Sequence, residues 1–201
     1  MDFLKMLVEE FHSTIVATID SDDHPQTRAI DMMLYDEEGI YFLTAKGKSF
    51  FNQLMEQNYI ALSAIKDKKA ISLKGKVRCI GENRLIEIFE KNSYMQEIYP
   101  VGTRSALNVF QIYEACGEYF DISKPTHIIC ESFSVGVAAK QLNGYTINVN
   151  CISCGLCLNV CPQKCIDTNV VPAVIKQAHC LHCGQCAEIC PRKAVKRIMG
   201  R

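Results

Sequence analysis

Nine of the chain's twelve cysteines lie between Cys151 and Cys190, and eight of those nine repeat one spacing. Cys151, Cys154, Cys157 and Cys161 are followed by Pro162, and Cys180, Cys183, Cys186 and Cys190 by Pro191. Each run reads C-x2-C-x2-C-x3-C-P. Zinc is satisfied by four ligands, typically two C-x2-C pairs, and has no use for a third cysteine in each run. A disulfide framework belongs to an oxidising compartment. The spacing suits an iron–sulfur cubane better. Three cysteines on a tight loop reach three corners, and the x3 step puts the fourth on the next helical turn, facing away. Gly155 and Gly184 let the loop backbone approach the inorganic sulfur, where a Cβ would intrude.

The two runs are halves of an internal repeat offset by 29 positions. Gly155 recurs as Gly184 and Ile166 as Val195, and the β-like stretch 145–149 recurs as 173–176. Duplicated strand–loop–helix units related by a pseudo-twofold are expected. CISCGLCLNVCP and CLHCGQCAEICP resemble the bacterial two-cluster ferredoxins. The resemblance implies that Cys151, Cys154, Cys157 and Cys190 hold one 4Fe–4S cluster, and that Cys180, Cys183, Cys186 and Cys161 hold the other. Cys165, the ninth cysteine, is expected to pack as a small hydrophobe. His179 and His182 read as local hydrogen-bonding or surface residues, and Cys79, Cys116 and Cys130 as non-ligands.

The remainder of the chain must position this unit and supply any further chemistry. At 201 residues it has room for one ordinary core and a small second unit. No run approaches the roughly 18 apolar residues that span a bilayer. The acidic N-terminal stretch MDFLKMLVEEFHS does not read as a signal peptide. A cytoplasmic protein without a membrane partner is expected, in a compartment where thiols serve metals. Net charge is zero overall, yet residues from 144 onward carry seven Lys/Arg against Asp167 and Glu188, a formal +5. Two clusters at roughly −2 each nearly cancel this. That reading is preferred to a nucleic-acid partner for the basic stretch 193–201.

Residues 1–142 read as mostly β. Strands are expected at 14–20, 26–35, 39–44, 59–65, 70–80, 110–122 and 127–137, separated by turn clusters such as 21–25 and 67–69. Helices are expected at 48–57, 84–92 and 93–99, with 1–11 as an amphipathic cap. Strands with interspersed short helices suggest a closed or half-closed barrel.

Within this region HPQTRAIDMMLYDEEGIYFLTAKGKSFFNQL resembles the FMN-binding segment of the pyridoxamine 5′-phosphate oxidase-like split-barrel family. The matching positions are Pro25, Arg28, Ala29, Ile30, Asp31, Met32, Met33, Thr44, Lys48 and Ser49. A split barrel followed by a ferredoxin tail also resembles a clostridial and archaeal subgroup of that family. The resemblance implies a split β-barrel with short helices at 1–142, then a small α+β two-cluster ferredoxin domain at 143–201. It further implies a homodimer binding FMN across the subunit interface. An FMN phosphate needs cations and N–H donors, ideally at a helix N-terminus, and Arg28, Lys48, Ser49 and the start of the 48–57 helix can supply them. The backbone of Ala29, Ile30, Asp31 and Met32 would run along the isoalloxazine edge, and Thr44 is among the cofactor-binding positions the resemblance implies. Tyr94, Tyr99, Arg104, Tyr113 and Tyr119 are candidates for an outer pocket.

The chain departs from the oxidase itself. Met33 stands where the oxidase has lysine, the basic loop reads Lys-Ser-Phe, no glutamine lies near Ala70, and there is no tryptophan. Vitamin oxidation is therefore not expected. Ser-His-Asp, Walker A and dinucleotide glycine motifs are absent. The implied function is an oxidoreductase passing electrons between two 4Fe–4S clusters and FMN to reduce a small acceptor, with a small-molecule or protein redox partner. The alternatives are an electron carrier or sensor without its own substrate, and a barrel holding haem or a deazaflavin.

Overall fold

The computed structural model describes residues 1–139 and 143–198. Contacts divide them into two compact units. One comprises residues 1–66, 70–117 and 133–139; the other comprises 67–69, 118–132 and the described residues from 143 onward. The boundary expected at 142 lies outside the described residues.

Alternation builds the first unit. The N-terminal cap is α1 (Phe3–Lys5) continued by a π-helical run, Met6–Phe11, which buries Met6, Leu7, Val8 and Phe11. In β1 (Ser13–Ile19) Thr14, Val16 and Thr18 are buried while Ser13, Ile15 and Ile19 are exposed, the period of a half-buried strand. After the turn at 20–24, β2 (Pro25–Asp31) returns antiparallel to β1, Arg28 opposite Val16. The single strand expected at 26–35 is interrupted. Met32 and Met33 are both buried, and their amides bond to His12 O and Tyr41 O before β3 (Leu34–Asp36) begins.

β4 (Gly39–Ala45) is buried on both faces, as its unbroken apolar run requires. On one face Phe42 stacks with Phe50 and Phe110 at ring separations of 6.0 and 5.7 Å. On the other, Tyr41 and Leu43 pack in a cluster with Leu85, Ile88, Phe89 and Met95. Helix α2 (Ser49–Gln57) contributes Phe50 and Leu54 to the core and ends at Asn58 in the left-handed region. Strands β5 (Tyr59–Lys66) and β6 (Lys69–Gly81) meet at Asp67 and Lys68, both with positive φ, the backbone a tight hairpin needs. Helices α3 (Leu85–Lys91) and α4 (Tyr94–Ile98) follow, then β7 (Leu107–Asp121) and β8 (Ile129–Val135). The Arg84 guanidinium pairs with Asp36 and Glu87 and lies 4.4 Å from the Tyr41 ring centroid, anchoring α3 to β3 and β4. The strand order is β2-β1-β5-β6-β7-β4-β3 in an eight-stranded sheet, with β8 paired to β7. The mostly β split barrel with short helices is as expected.

The second unit repeats its own backbone. Strand β9 (Gly144–Ile147), α5 (Leu156–Val160) and β10 (Ile166–Asp167) are answered by β11 (Val174–Ile175), α6 (Gln185–Glu188) and β12 (Val195–Ile198). The pairs cross between halves: β9 pairs with β12, and β10 with β11. That exchange is what a pseudo-twofold requires. Positive φ values recur at the same offset, at Ser153 and His182 (53° and 54°), Gly155 and Gly184 (76° and 84°), and Lys164 and Lys193 (both 49°). Among the described residues no helix is long and apolar enough to cross a membrane.

Candidate functional site

Crossing of the repeat carries the cysteines with it. Cys151, Cys154, Cys157 and Cys190 line one cavity of about 390 Å³, together with Ile147, Ala173 and Val195. Cys161, Cys180, Cys183 and Cys186 line another of about 340 Å³, with Tyr145, Ile166 and Ile175. Each cavity therefore gathers three cysteines from one run and the fourth from the other. The left-handed loop residues turn backbone amides onto sulfur: Ser153 N to Cys151 Sγ at 3.4 Å, His182 N to Cys180 Sγ at 3.4 Å, and Ala194 N to Cys190 Sγ at 3.3 Å. At position 184 a side chain would also collide, because a Cβ there would sit 2.8 Å from the Tyr145 hydroxyl.

Burial raises the pKa of the Cys180 thiol against an opposing His182 amide and pushes the Cys186 thiol up to about 11. At Cys190 burial acts the same way, but the amides of Ala194, Arg192, Val195 and Lys193 outweigh it and hold the thiol below its ordinary value. Four sulfurs in an apolar cavity, with amides aimed at them, form a donor set that fits a cubane.

The ninth cysteine is nearer this chemistry than its sequence suggests. Cys165 is 5% exposed, lines the second cavity, and its sulfur lies 3.6 Å from that of Cys161. Burial and the neighbouring Cys161 push its thiol up to about 12. Cys79 accepts a hydrogen bond from Asn108 Nδ2 at 3.2 Å, and Cys116 lies 3.9 Å from Lys74 O. Cys130 is half-buried. His179 bonds to Ile128 O through Nδ1 at 2.8 Å, with its ring 4.0 Å from that of His127.

The first unit has a cavity of about 500 Å³ lined by Ala29, Ile30 and Asp31 of β2, Leu43, Thr44 and Ala45 of β4, Lys48, and Met33, Met95, Tyr99 and Leu107. Thr44 is 4% exposed and its hydroxyl has no hydrogen-bond partner among the described residues. A buried unpaired hydroxyl costs about 1–3 kcal/mol, so an oxygen or nitrogen delivered into this cavity would relieve it. Lys48 is exposed, caps the start of α2 and makes no side-chain bond among the described residues. Ser49 is exposed as the first residue of α2 and does not line the cavity. Arg28 does not line the cavity. Its guanidinium bonds to Gln53 Oε1 at 2.9 Å and lies 4.4 Å from the Phe50 centroid, at the opening turn of α2.

Residues 1–113 match the family described as pyridoxamine 5′-phosphate oxidase. The chain belongs to that family. Residues 150–194 match a 4Fe-4S dicluster domain. A protein of the pyridoxamine 5′-phosphate oxidase family with an iron–sulfur domain has a redox, electron-transfer role. The fold is shared with a NimC/NimA family protein from Clostridium acetobutylicum, at 20% identity and a TM-score of 0.56, over 67% of this chain and 95% of that one. A second Clostridium acetobutylicum protein, related to general stress protein 26, is 17% identical with a TM-score of 0.50, over 66% and 91% of the two chains. No curated protein is similar enough in sequence to be matched.

In this member of the pyridoxamine 5′-phosphate oxidase family the outer-pocket candidates divide. Tyr99 lines the cavity. Tyr94 donates to Asp31 Oδ2 at 2.8 Å, and His12 Nε2 lies 3.0 Å from the same hydroxyl. Burial and the Asp31 carboxylate raise the Tyr94 pKa. Arg104 instead bonds to Tyr99 O and covers Phe89, Tyr113 lies under Arg78, and Tyr119 is buried. Sequence reasoning missed His12, Leu43, Met95 and Leu107 at or beside this site. Each carries only an ordinary core or cap signal.

Proposed function

We propose that this protein is a flavin- and iron–sulfur-dependent oxidoreductase that passes electrons between two 4Fe–4S clusters and FMN to reduce a small acceptor. The observation that carries the reading is the pair of four-thiol cavities, present in one chain with a cavity of this family's barrel. Bound groups of these kinds supply single-electron storage at the clusters and conversion to electron pairs at the flavin.

The chain's own residues do the rest. Cys151, Cys154, Cys157 and Cys190 ligate one cluster, and Cys161, Cys180, Cys183 and Cys186 the other. Loop amides lower the cost of charge on sulfur. Arg28, Lys48 and Ser49 bring positive charge and donors to the opening turn of α2, where a phosphate is favoured. Ala29, Ile30 and Asp31 offer backbone groups along the cavity wall, and Thr44 offers its unpaired hydroxyl.

A homodimer is part of the reading. Its support is the exposed face of β1, β2 and β5, where Ile15, Ile19, Ala29, Ala61 and Tyr59 carry no charge. A redox partner from a reducing, cytoplasmic setting accords with twelve free thiols.

The test is FMN binding by the full-length protein. Lys48→Ala removes a charge-assisted contact and is expected to weaken FMN binding by tenfold or more, about 1.5–3 kcal/mol. Riboflavin, lacking the phosphate, is expected to be indifferent to it. A protein with intact clusters and no affinity for FMN overturns the flavin assignment. FMN binding without turnover of any acceptor favours the electron-carrier alternative.

A further inference from the structure

The mouths of the two thiol cavities differ in charge. Arg192 borders the first, and Lys193 follows it; both are exposed. Lys196 and Arg197 are exposed on β12, whose Val195 lines that same cavity. None of these four cations has an ion pair or a side-chain hydrogen bond among the described residues. Glu188 is the only acid between Cys180 and Ile198. The second cavity has no charged residue in its lining. Lys164 adds nothing to the patch, because its ammonium is held by the carbonyls of Leu158 and Asn159.

Apolar surface accompanies the charge. Ile152 is 59% exposed and Leu156 40% exposed, and both line the first cavity. Exposed cations that bind no acid of their own chain gain when an anionic surface approaches. Exposed apolar side chains within a charged rim are the anatomy of a transient protein interface. A nucleic acid would use the cations through its phosphates, but it would leave Ile152 and Leu156 without partners and has no electrons to exchange with the thiol cavity beneath them.

We propose that the face over Cys151, Cys154, Cys157 and Cys190 is the docking surface for an acidic electron-carrier protein that exchanges single electrons with the cluster held there. One electron leaves the reduced centre of the carrier and one arrives at the cluster; no bond is made or broken. The inference rests on the cluster reading above and goes beyond it by naming the port and the partner's charge.

The experiment is anaerobic stopped-flow reduction of the full-length holoprotein by a strongly acidic plant-type ferredoxin. A net-neutral sulfonated viologen serves as the control reductant. With ferredoxin, the second-order rate is expected to fall about tenfold or more between roughly 20 and 500 mM salt. The Arg192→Glu/Lys193→Glu variant is expected to lose a further factor of about ten at low salt and most of its salt dependence. Arg192→Gln/Lys193→Gln is expected to fall between the two, so the result does not depend on how charge reversal is tolerated. Reduction by the viologen is expected to be unchanged in every variant that retains wild-type iron. Equal ferredoxin rates and salt profiles in wild type and variants overturn the proposal. So does a variant that loses affinity for a short DNA duplex while its ferredoxin rate stays the same. Failure of the viologen to reduce the wild-type clusters would overturn the oxidoreductase reading itself, and the port with it.

Discussion

Each thiol cavity has one exposed cysteine, Cys154 in the first and Cys183 in the second, but the second buries Cys161, Cys180 and Cys186, and Cys165 beside them, whereas in the first Cys151, Cys157 and Cys190 are only partly buried. Burial raises the Cys180 and Cys186 thiols of the second, and Cys157 of the first, while backbone amides win at Cys190 in the first. Both cavities come from one repeated loop. The repeat thus fixes where the eight thiols sit, and its unrepeated neighbours, Arg192 against Gln163 or Cys165 against Ala194, adjust the surroundings. Reduction adds a negative charge to a cluster, which burial opposes and amides or cations favour. A duplicated unit of this kind can hold one cofactor type at two potentials.

The largest expected effects come from breaking the crossed ligand sets. Cys190→Ala should remove about half the iron, roughly four of eight per chain, and spare the cluster held by the Cys180 run. Cys161→Ala should do the reverse. Electron paramagnetic resonance of the remaining cluster distinguishes the two; loss from the sequence-adjacent run in both variants would contradict the crossing.

Thiol reactivity sharpens the same contrast. The thiolate is the nucleophile, so a raised pKa slows alkylation and a lowered one speeds it. In the cluster-free protein near pH 8, Cys190 should react with iodoacetamide at least about tenfold faster than Cys186, followed by peptide mass spectrometry. The gap should narrow as the pH rises toward the Cys186 value of about 11. A third expectation is that the first cluster has the higher potential in an anaerobic redox titration. Equal potentials, or the reverse order, would show that the amides and Arg192 do not govern it.

The smallest effect is expected at Cys165. The four-cysteine set is complete without it, so Cys165→Ala should leave iron content near the wild-type value. A loss of about four iron would make it a ligand in place of a motif cysteine.

The legibility of these regions differs for a physical reason. Cysteine spacing is local, and the loop that spans it has few ways to fold, so the two runs, the offset and the pseudo-twofold could all be read from the chain. The barrel cavity draws on segments far apart in sequence. Ala29 to Asp31 and Thr44 are recognisable because they lie in one continuous stretch that resembles the family's FMN-binding segment. Met95 and Leu107 reach the site only through packing of α4 and β7, and their apolar character alone resembles any core residue. The break at Met32 and Met33 was hidden for a similar reason: their amides are taken by His12 and Tyr41, partners that no pattern along β2 reveals. Cys165 looked like small packing material, and only its 3.6 Å approach to Cys161 ties it to the second cavity.

The central claim is that clusters and flavin work together in one chain. Anaerobic rapid-mixing spectroscopy of the reconstituted full-length protein tests it most directly, with a low-potential reductant in one syringe and the protein with FMN in the other. The expected result is bleaching of the broad cluster absorption, then of the flavin bands, with both recovered on adding an acceptor. Clusters that reduce fully while bound flavin stays oxidised would contradict the claim, as would a protein that takes up no flavin at all.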